Sequence, residues 1–305
     1  MLLPIEKTIA DLANHDKPLR NSKLVKLSAL SPEELKSFEQ LWSAIEAKRR
    51  QQMISRLVQL AEDNFDLNFD NIFRYCLKDK DAEVRSKAIQ GLWESEDVSL
   101  INPLINLLGK DTSEKVQSTA ATALGKFAML AELGKLRSCH ATKVSQVLLS
   151  TIADKSKPTE VKRRAMEAAA PLSLPQANKA IMETYQSNDP KLKASAIYAM
   201  GKNCDCRWLP ILLKELNSAS AEMRYEAAGA CGELGEEKAV LHLLKLINDP
   251  DVEVQLAAIQ ALGKIGGSEA KEYLEQYQNN PDEVDSAAAK QALTELESEE
   301  DLLSF

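Results

Sequence analysis

The chain has 305 residues, 38 of them basic and 46 acidic, for a formal net charge of −8. That balance excludes a general nucleic-acid binder, which needs a net basic face to displace counterions from phosphate. Aromatic residues make up only 5% and the five cysteines are irregularly spaced, so neither a sheet-rich fold nor a disulfide framework is expected, and a cytoplasmic location is.

The opening MLLPIEKTIADLANHDK carries acidic residues early and lacks a basic start and a small-residue cleavage site, so it does not read as a secretory leader. A short helix is expected over 4–14, followed by a basic extended stretch, PLRNSKLVK, which completes an N-terminal segment of residues 1–31. Residues 32–63 read as two helices that cap a longer array, with Met53 and Leu57 on the inner stripe. No apolar run approaches the roughly 20 residues of a membrane span. The run from Leu209 to Leu213, for example, is broken by Pro210.

A repeat fills the rest. Val84, Val116, Val161, Leu192, Met223, Val254 and Asp285 mark a common position zero, the last five spaced by 31 residues, the first gap being 32 and the second 45. Position +4 is alanine in all seven copies: Ala88, Ala120, Ala165, Ala196, Ala227, Ala258 and Ala289. Position +7 is always Gly or Ala, and +8 is mostly a larger apolar residue. On a helix these positions form one stripe, and small residues there let neighbouring helices approach closely. A second apolar helix precedes each copy, as in LPILLKELNS and LHLLKLIND. Asp189-Pro190, Asp249-Pro250 and Asn280-Pro281 read as helix starts, and Gly235 and Gly266-Gly267 as helix ends. The 45-residue gap places an insertion near 127–143, a longer loop or an extended helix. The array is expected to end at residue 297, leaving an acidic tail over 298–305. A fixed period of this length predicts an all-α, right-handed α-solenoid of about eight stacked antiparallel hairpins, each burying its apolar face on its neighbours.

The alanine-centred skeleton over 32–297 resembles the HEAT-repeat family, in the short-unit form first described in phycobilisome lyases. The resemblance implies a protein-binding scaffold or adaptor rather than an enzyme. The alternative it leaves is a HEAT-type lyase or chaperone acting on a chromophore-bearing protein. The di-iron hydroxylase branch of the family carries paired His-Glu steps. Here His15, His140 and His242 are the only histidines and none precedes Glu, so the metal-ligand supply that branch needs is missing. A glycosylase-like basic channel is disfavoured by the net charge, although Lys155, Lys157, Lys162, Arg163 and Arg164 form a local basic run. Cys204-Asp205-Cys206 falls in an inter-repeat loop, with no second cysteine pair to complete a zinc site. No phosphate-binding glycine loop and no Ser/His/Asp set is present. No cofactor or metal is expected.

A partner surface is sought on the outer side of the second helices, at +2, +6 and +9, which in a HEAT-like stack lines the concave face. Tyr225 and Leu256 occupy +2, Tyr198 and Gln260 occupy +6, and Ile197 and Ile259 lie at +5 on its edge. Apolar and aromatic residues directed at solvent are what an interface core uses. Position +1 gives a column of donors: Arg85, Gln117, Lys162, Lys193, Arg224 and Gln255. It reads either as a groove for an acidic peptide or as a structural ladder to carboxylates such as Asp81 or Asp251 in the adjoining turn, the arrangement that the HEAT resemblance implies. Arg163, Lys193 and Arg224 thus join Tyr198, Tyr225, Leu256, Gln260, Ile197 and Ile259 as candidate contacts of a protein or peptide partner. The chain is expected to act as a monomer, with neither nucleic acid nor membrane as its partner.

Overall fold

A computed structural model describes residues 4–279 and 283–303, with side chains described for 4–279 and 284–298. Its elements are helices throughout. Two short ones come first, α1 (Pro4–Ala13) and α2 (Asn21–Leu24). Eight pairs follow in chain order. The first four are α3 (Pro32–Trp42) with α4 (Ala47–Asp63), α5 (Asp70–Cys76) with α6 (Ala82–Gly91), α7 (Ile101–Lys110) with α8 (Glu114–Glu132), and α9 (Ser138–Ala153) with α10 (Thr159–Ala169). The last four are α11 (Pro175–Tyr185) with α12 (Pro190–Lys202), α13 (Leu209–Glu215) with α14 (Ala221–Leu234), α15 (Val240–Leu246) with α16 (Val252–Ile265), and α17 (Gly267–Tyr277) with α18 (Glu283–Leu303). Among the described residues this is the α-solenoid pattern.

The chain divides into two compact units, one of residues 1–130 and 136–147, the other of 131–135 and 148–305. In the first unit α1 packs on α3 and α2 on α4, while α4 lies against α6. Ile5, Ile9 and Leu12 are buried, and Arg49 donates from Nε to the Leu12 carbonyl at 2.6 Å. The basic stretch expected to be extended instead forms α2 and a 3₁₀ turn over Val25–Leu27, because Leu24 and Leu27 are fully buried and draw the backbone into a compact turn. In the second unit α10, α12, α14, α16 and α18 pack side by side in that order, and α11, α13, α15 and α17 each lie on the second helix of their own pair.

All seven +4 alanines are fully buried. The close approach they permit is extended by a second contact. Position +9 was expected to face away, yet Gly201, Gly232 and Gly263 are at +9 and press on the next repeat. A Cβ built on Gly201 would lie 2.6 Å from Ala230 Cα, and one on Gly232 would lie 2.8 Å from Ala261 Cα. Glycine at +9 against alanine at +7 therefore brings backbone onto backbone.

Helix boundaries follow local chemistry. Asp189 caps α12 with Pro190 in its first turn, as expected. Gly235 ends α14 in the left-handed region, φ 69°. Asp249-Pro250 is not the start of α16. Asp251 is the cap, accepting from the Glu253 and Val254 amides, because Asp249 is engaged elsewhere. Asn280-Pro281 lies outside the described residues. The insertion is taken up by extended helices: α8 runs for 19 residues and α9 for 16. The acidic segment read as a final turn and tail is helical as far as Leu303, and residues 304–305 lie outside the described residues.

Candidate functional site

At Arg85, Gln117, Lys193, Arg224 and Gln255 the +1 column is a ladder. Arg224 Nε and Nη2 donate to the two carboxylate oxygens of Asp249, each at 2.7 Å, and Arg85 makes the same forked contact to Asp111 at 2.7 and 2.8 Å. Each arginine also donates from Nη1 into its own turn, Arg224 to the Ser218 carbonyl at 2.8 Å and Arg85 to the Asp79 carbonyl at 2.7 Å. Where +1 is glutamine, the amide nitrogen takes that carbonyl: Gln255 donates to the Asp249 carbonyl at 2.6 Å. The acceptors lie in the adjoining turn, as the ladder reading expects, but they are Asp111 and Asp249 rather than Asp81 or Asp251. In the next repeat up the chain the turn residue is Ser218, and Glu215 substitutes for the missing carboxylate, accepting from Lys193 Nζ at 2.9 Å and from the Tyr185 hydroxyl at 2.6 Å.

These contacts correct part of the candidate set. Lys193 and Arg224 are engaged within the fold, Lys193 by Glu215 and Arg224 by Asp249. Arg163 is likewise engaged, donating to Glu160 at 2.9 Å and to the Ser195 hydroxyl at 3.1 Å. Ile197 and Ile259 are fully buried: their +5 position turns into the seam between adjacent second helices. Leu256 is half-buried.

Tyr198, Tyr225 and Gln260 are brought together. They line a groove of about 250 Å³ across α12, α14 and α16. Ala230, Ala257, Ala261 and Gly229 contribute small residues to its lining. Tyr198 and Tyr225 remain 39% and 43% exposed. At the C-terminal ends of the helices, Lys202 and Lys264 hold the Glu233 carboxylate between them at 2.8 and 2.6 Å. Those two hydrogen bonds keep Glu233 below the usual carboxylate range against its burial. The groove also contains Glu226, which sequence reasoning did not single out. Burial, with Glu167 and Glu222 nearby, pushes its carboxyl up to about 7 despite Arg163.

That shift fixes a pH dependence. Between the ordinary value of 4.5 and about 7 the folded chain holds a proton on Glu226 that the unfolded chain has released. Stability therefore falls as pH rises through this window. Glu226→Gln is expected to be more stable than the parent above pH 7, on the order of 2 kcal/mol, and equal to it near pH 4. Urea unfolding at both pH values checks this, and an unchanged difference between them would contradict the assignment.

A second pocket, also of about 250 Å³, lies in the first unit, lined by Ile89, Leu92, Trp93, Leu104, Lys126 and Phe127 among others. Trp93 is 59% exposed, with the Lys126 ammonium 6.0 Å from its ring. A signal for it was present in the repeat. Trp93 stands at +9, where the next five copies have Gly125, Ala170, Gly201, Gly232 and Gly263. Because α6 stops at Gly91, the +9 side chain leaves the helix row and has room to be large.

Cys204 and Cys206 are exposed in their loop, Cys206 donating to a Glu236 carboxylate oxygen at 2.9 Å. Among the described residues no three His, Cys, Asp or Glu side chains converge as a metal site, and no helix is long and apolar enough to cross a membrane.

No curated protein matches the chain. Among solved structures, Kap95p bound to RanGDP aligns over 96% of this chain and 46% of its own, at 14% identity with a TM-score of 0.54. The Kap95:Nup1 complex aligns over 96% and 46%, at 15% identity and 0.52. Human deoxyhypusine hydroxylase in complex with glycerol aligns over 86% and 95%, at 19% identity and 0.36. HEAT repeats are matched over residues 71–154 and 209–294, together more than half of the chain, and both matched regions carry the buried +4 alanines and the +1 ladder arginines described above. The chain belongs to the HEAT-repeat family.

Proposed function

We propose that this chain is a non-catalytic scaffold that holds a protein partner on the outer face of α12, α14 and α16. The observation that carries the reading is the pair of half-exposed tyrosines, Tyr198 and Tyr225, that line one groove together with alanine and glycine. Exposed aromatics over small residues give a partner large contact area at little cost in side-chain entropy. The Lys202 and Lys264 ammonium groups beside them are satisfied at Glu233, which suits a polar rim. Solenoid neighbours of the same fold, Kap95p with RanGDP and Kap95 with Nup1, are complexes with proteins. The partner's identity is open to affinity purification from the source cell with mass spectrometry.

The variant carrying Tyr198→Ala and Tyr225→Ala is expected to lose the proteins that the parent chain retains in that purification. Its thermal midpoint should stay within about 2 °C of the parent, since exposed positions contribute little to stability. Retention of the same proteins by a folded double variant would place the partner surface elsewhere.

A further inference from the structure

The groove has a carboxyl group that no side chain among the described residues pairs with. Of its two lining carboxylates, Glu233 is held by Lys202 and Lys264, whereas Glu226 accepts no hydrogen bond among the described residues. Its charged surroundings are Glu167 on α10 and Glu222 on α14, both of its own sign, and Arg163 on α10. Arg163 is engaged by Glu160 and Ser195, and Glu167 by Arg164 at 2.7 Å and Ser195 at 2.9 Å. The two ammonium groups lining the groove are both spent on Glu233. The lining charges balance in number, but the Glu226 carboxyl alone lacks a donor, in a groove that Tyr198, Tyr225, Gly229 and Ala257 also line. Tyrosine rings attract cations at their faces, and alanine and ring carbon suit an aliphatic stem. A bare metal ion is a poor match, because a hard cation needs several converging oxygens and Glu226 is the one lining carboxylate still free.

We infer that the groove seats a lysine or arginine side chain presented by a protein partner, with its stem between Tyr198 and Tyr225 and its charged end on the Glu226 carboxylate. This rests on the protein-binding reading above and names the chemistry of the anchor. The Gln260 side chain, exposed and lining the same groove, supplies a carbonyl oxygen as a second acceptor.

The test uses the full chain and a random peptide library displayed on phage. Selection is run on four proteins: the parent, Glu226→Gln, the Tyr198→Ala and Tyr225→Ala double variant, and Glu253→Gln, which removes an equal charge from an exposed site outside the groove lining. The parent and Glu253→Gln are expected to enrich peptides with Lys or Arg at one fixed position. Such a peptide, synthesised and titrated by calorimetry, should bind Glu226→Gln about tenfold or more weakly, the loss expected for one charge-assisted contact. Replacing its basic residue by norleucine should weaken binding to the parent by a similar factor and leave binding to Glu226→Gln little changed. Peptides that need both tyrosines but bind Glu226→Gln as tightly as the parent would overturn the cationic anchor and leave the docking reading standing. A selection yielding no peptide that depends on either tyrosine would overturn both.

Discussion

Gly201→Val is expected to lower stability by about 3 kcal/mol, the upper end of what overpacking costs in a well-filled seam. The new Cβ would sit 2.6 Å from Ala230 Cα and 2.8 Å from its Cβ. The obstacle is the backbone of α14, not the tip of a flexible side chain, so relief requires α12 and α14 to move apart. That movement would open the seam in which Ala196, Ile197, Ala227 and Cys231 are fully buried. Urea denaturation followed by circular dichroism measures the effect. Gly229→Ala is the matched control. It is also a helical glycine on α14, but an added Cβ there meets nothing within 4 Å, so alanine should stabilise by up to about 1 kcal/mol through helix propensity alone. Equal midpoints for Gly201→Val and the parent would show that the seam is looser than the structure has it.

The second large effect belongs to the ladder. Arg224→Met should destabilise by about 3 kcal/mol at neutral pH, because it strands a buried carboxylate. The Arg224 and Asp249 side chains are only 13% and 4% exposed. In the parent, the Arg224 hydrogen bonds hold the Asp249 carboxyl below its ordinary range. A carboxyl with a depressed value stabilises the fold above its unfolded pKa, 3.8, and loses that contribution as pH falls through the lower folded value. Without the guanidinium, burial favours the protonated form instead, and the penalty is relieved by acid. The destabilisation of Arg224→Met should therefore be large at pH 7 and shrink toward pH 3. Adding Asp249→Ala to Arg224→Met should recover much of the loss, since the stranded charge is gone. A double variant no better than the single would mean that Arg224 acts mainly through the Ser218 and Ala219 carbonyls it also contacts.

The architecture was legible because it is a matter of period. Seven alanines in register can be counted, and the hairpins follow from burying the stripe they lie on. The ladder was half legible. The donor column stands out at +1, but its acceptors could not be chosen from sequence, because Asp249 and Asp251 are two residues apart and either could cap α16. Which one caps is decided by Arg224, a residue from the preceding repeat. The partner face was the least legible. Helical phase alone places Ile197 and Tyr198 side by side, yet one is fully buried and the other 39% exposed, because +5 turns into the seam between adjacent second helices and +6 does not. Glu226 carried no mark at all. Its character comes first from burial and then from Glu167, which lies 59 positions earlier in the chain and is brought near it through space.

The ladder also bears on how such an array can lengthen. A stretch from residue 219 to residue 249 contains both the plug, Arg224, and the socket, Asp249, for one joint. Duplicated in tandem, the copy's arginine would meet the carbonyl of the original Asp249, as Arg85 already meets that of Asp79, and its aspartate would receive the copied guanidinium. Gln255 would close the last joint as it does now. No coupling would be left open, so insertion or loss of a whole module keeps the ladder in register where a shift of a few residues does not.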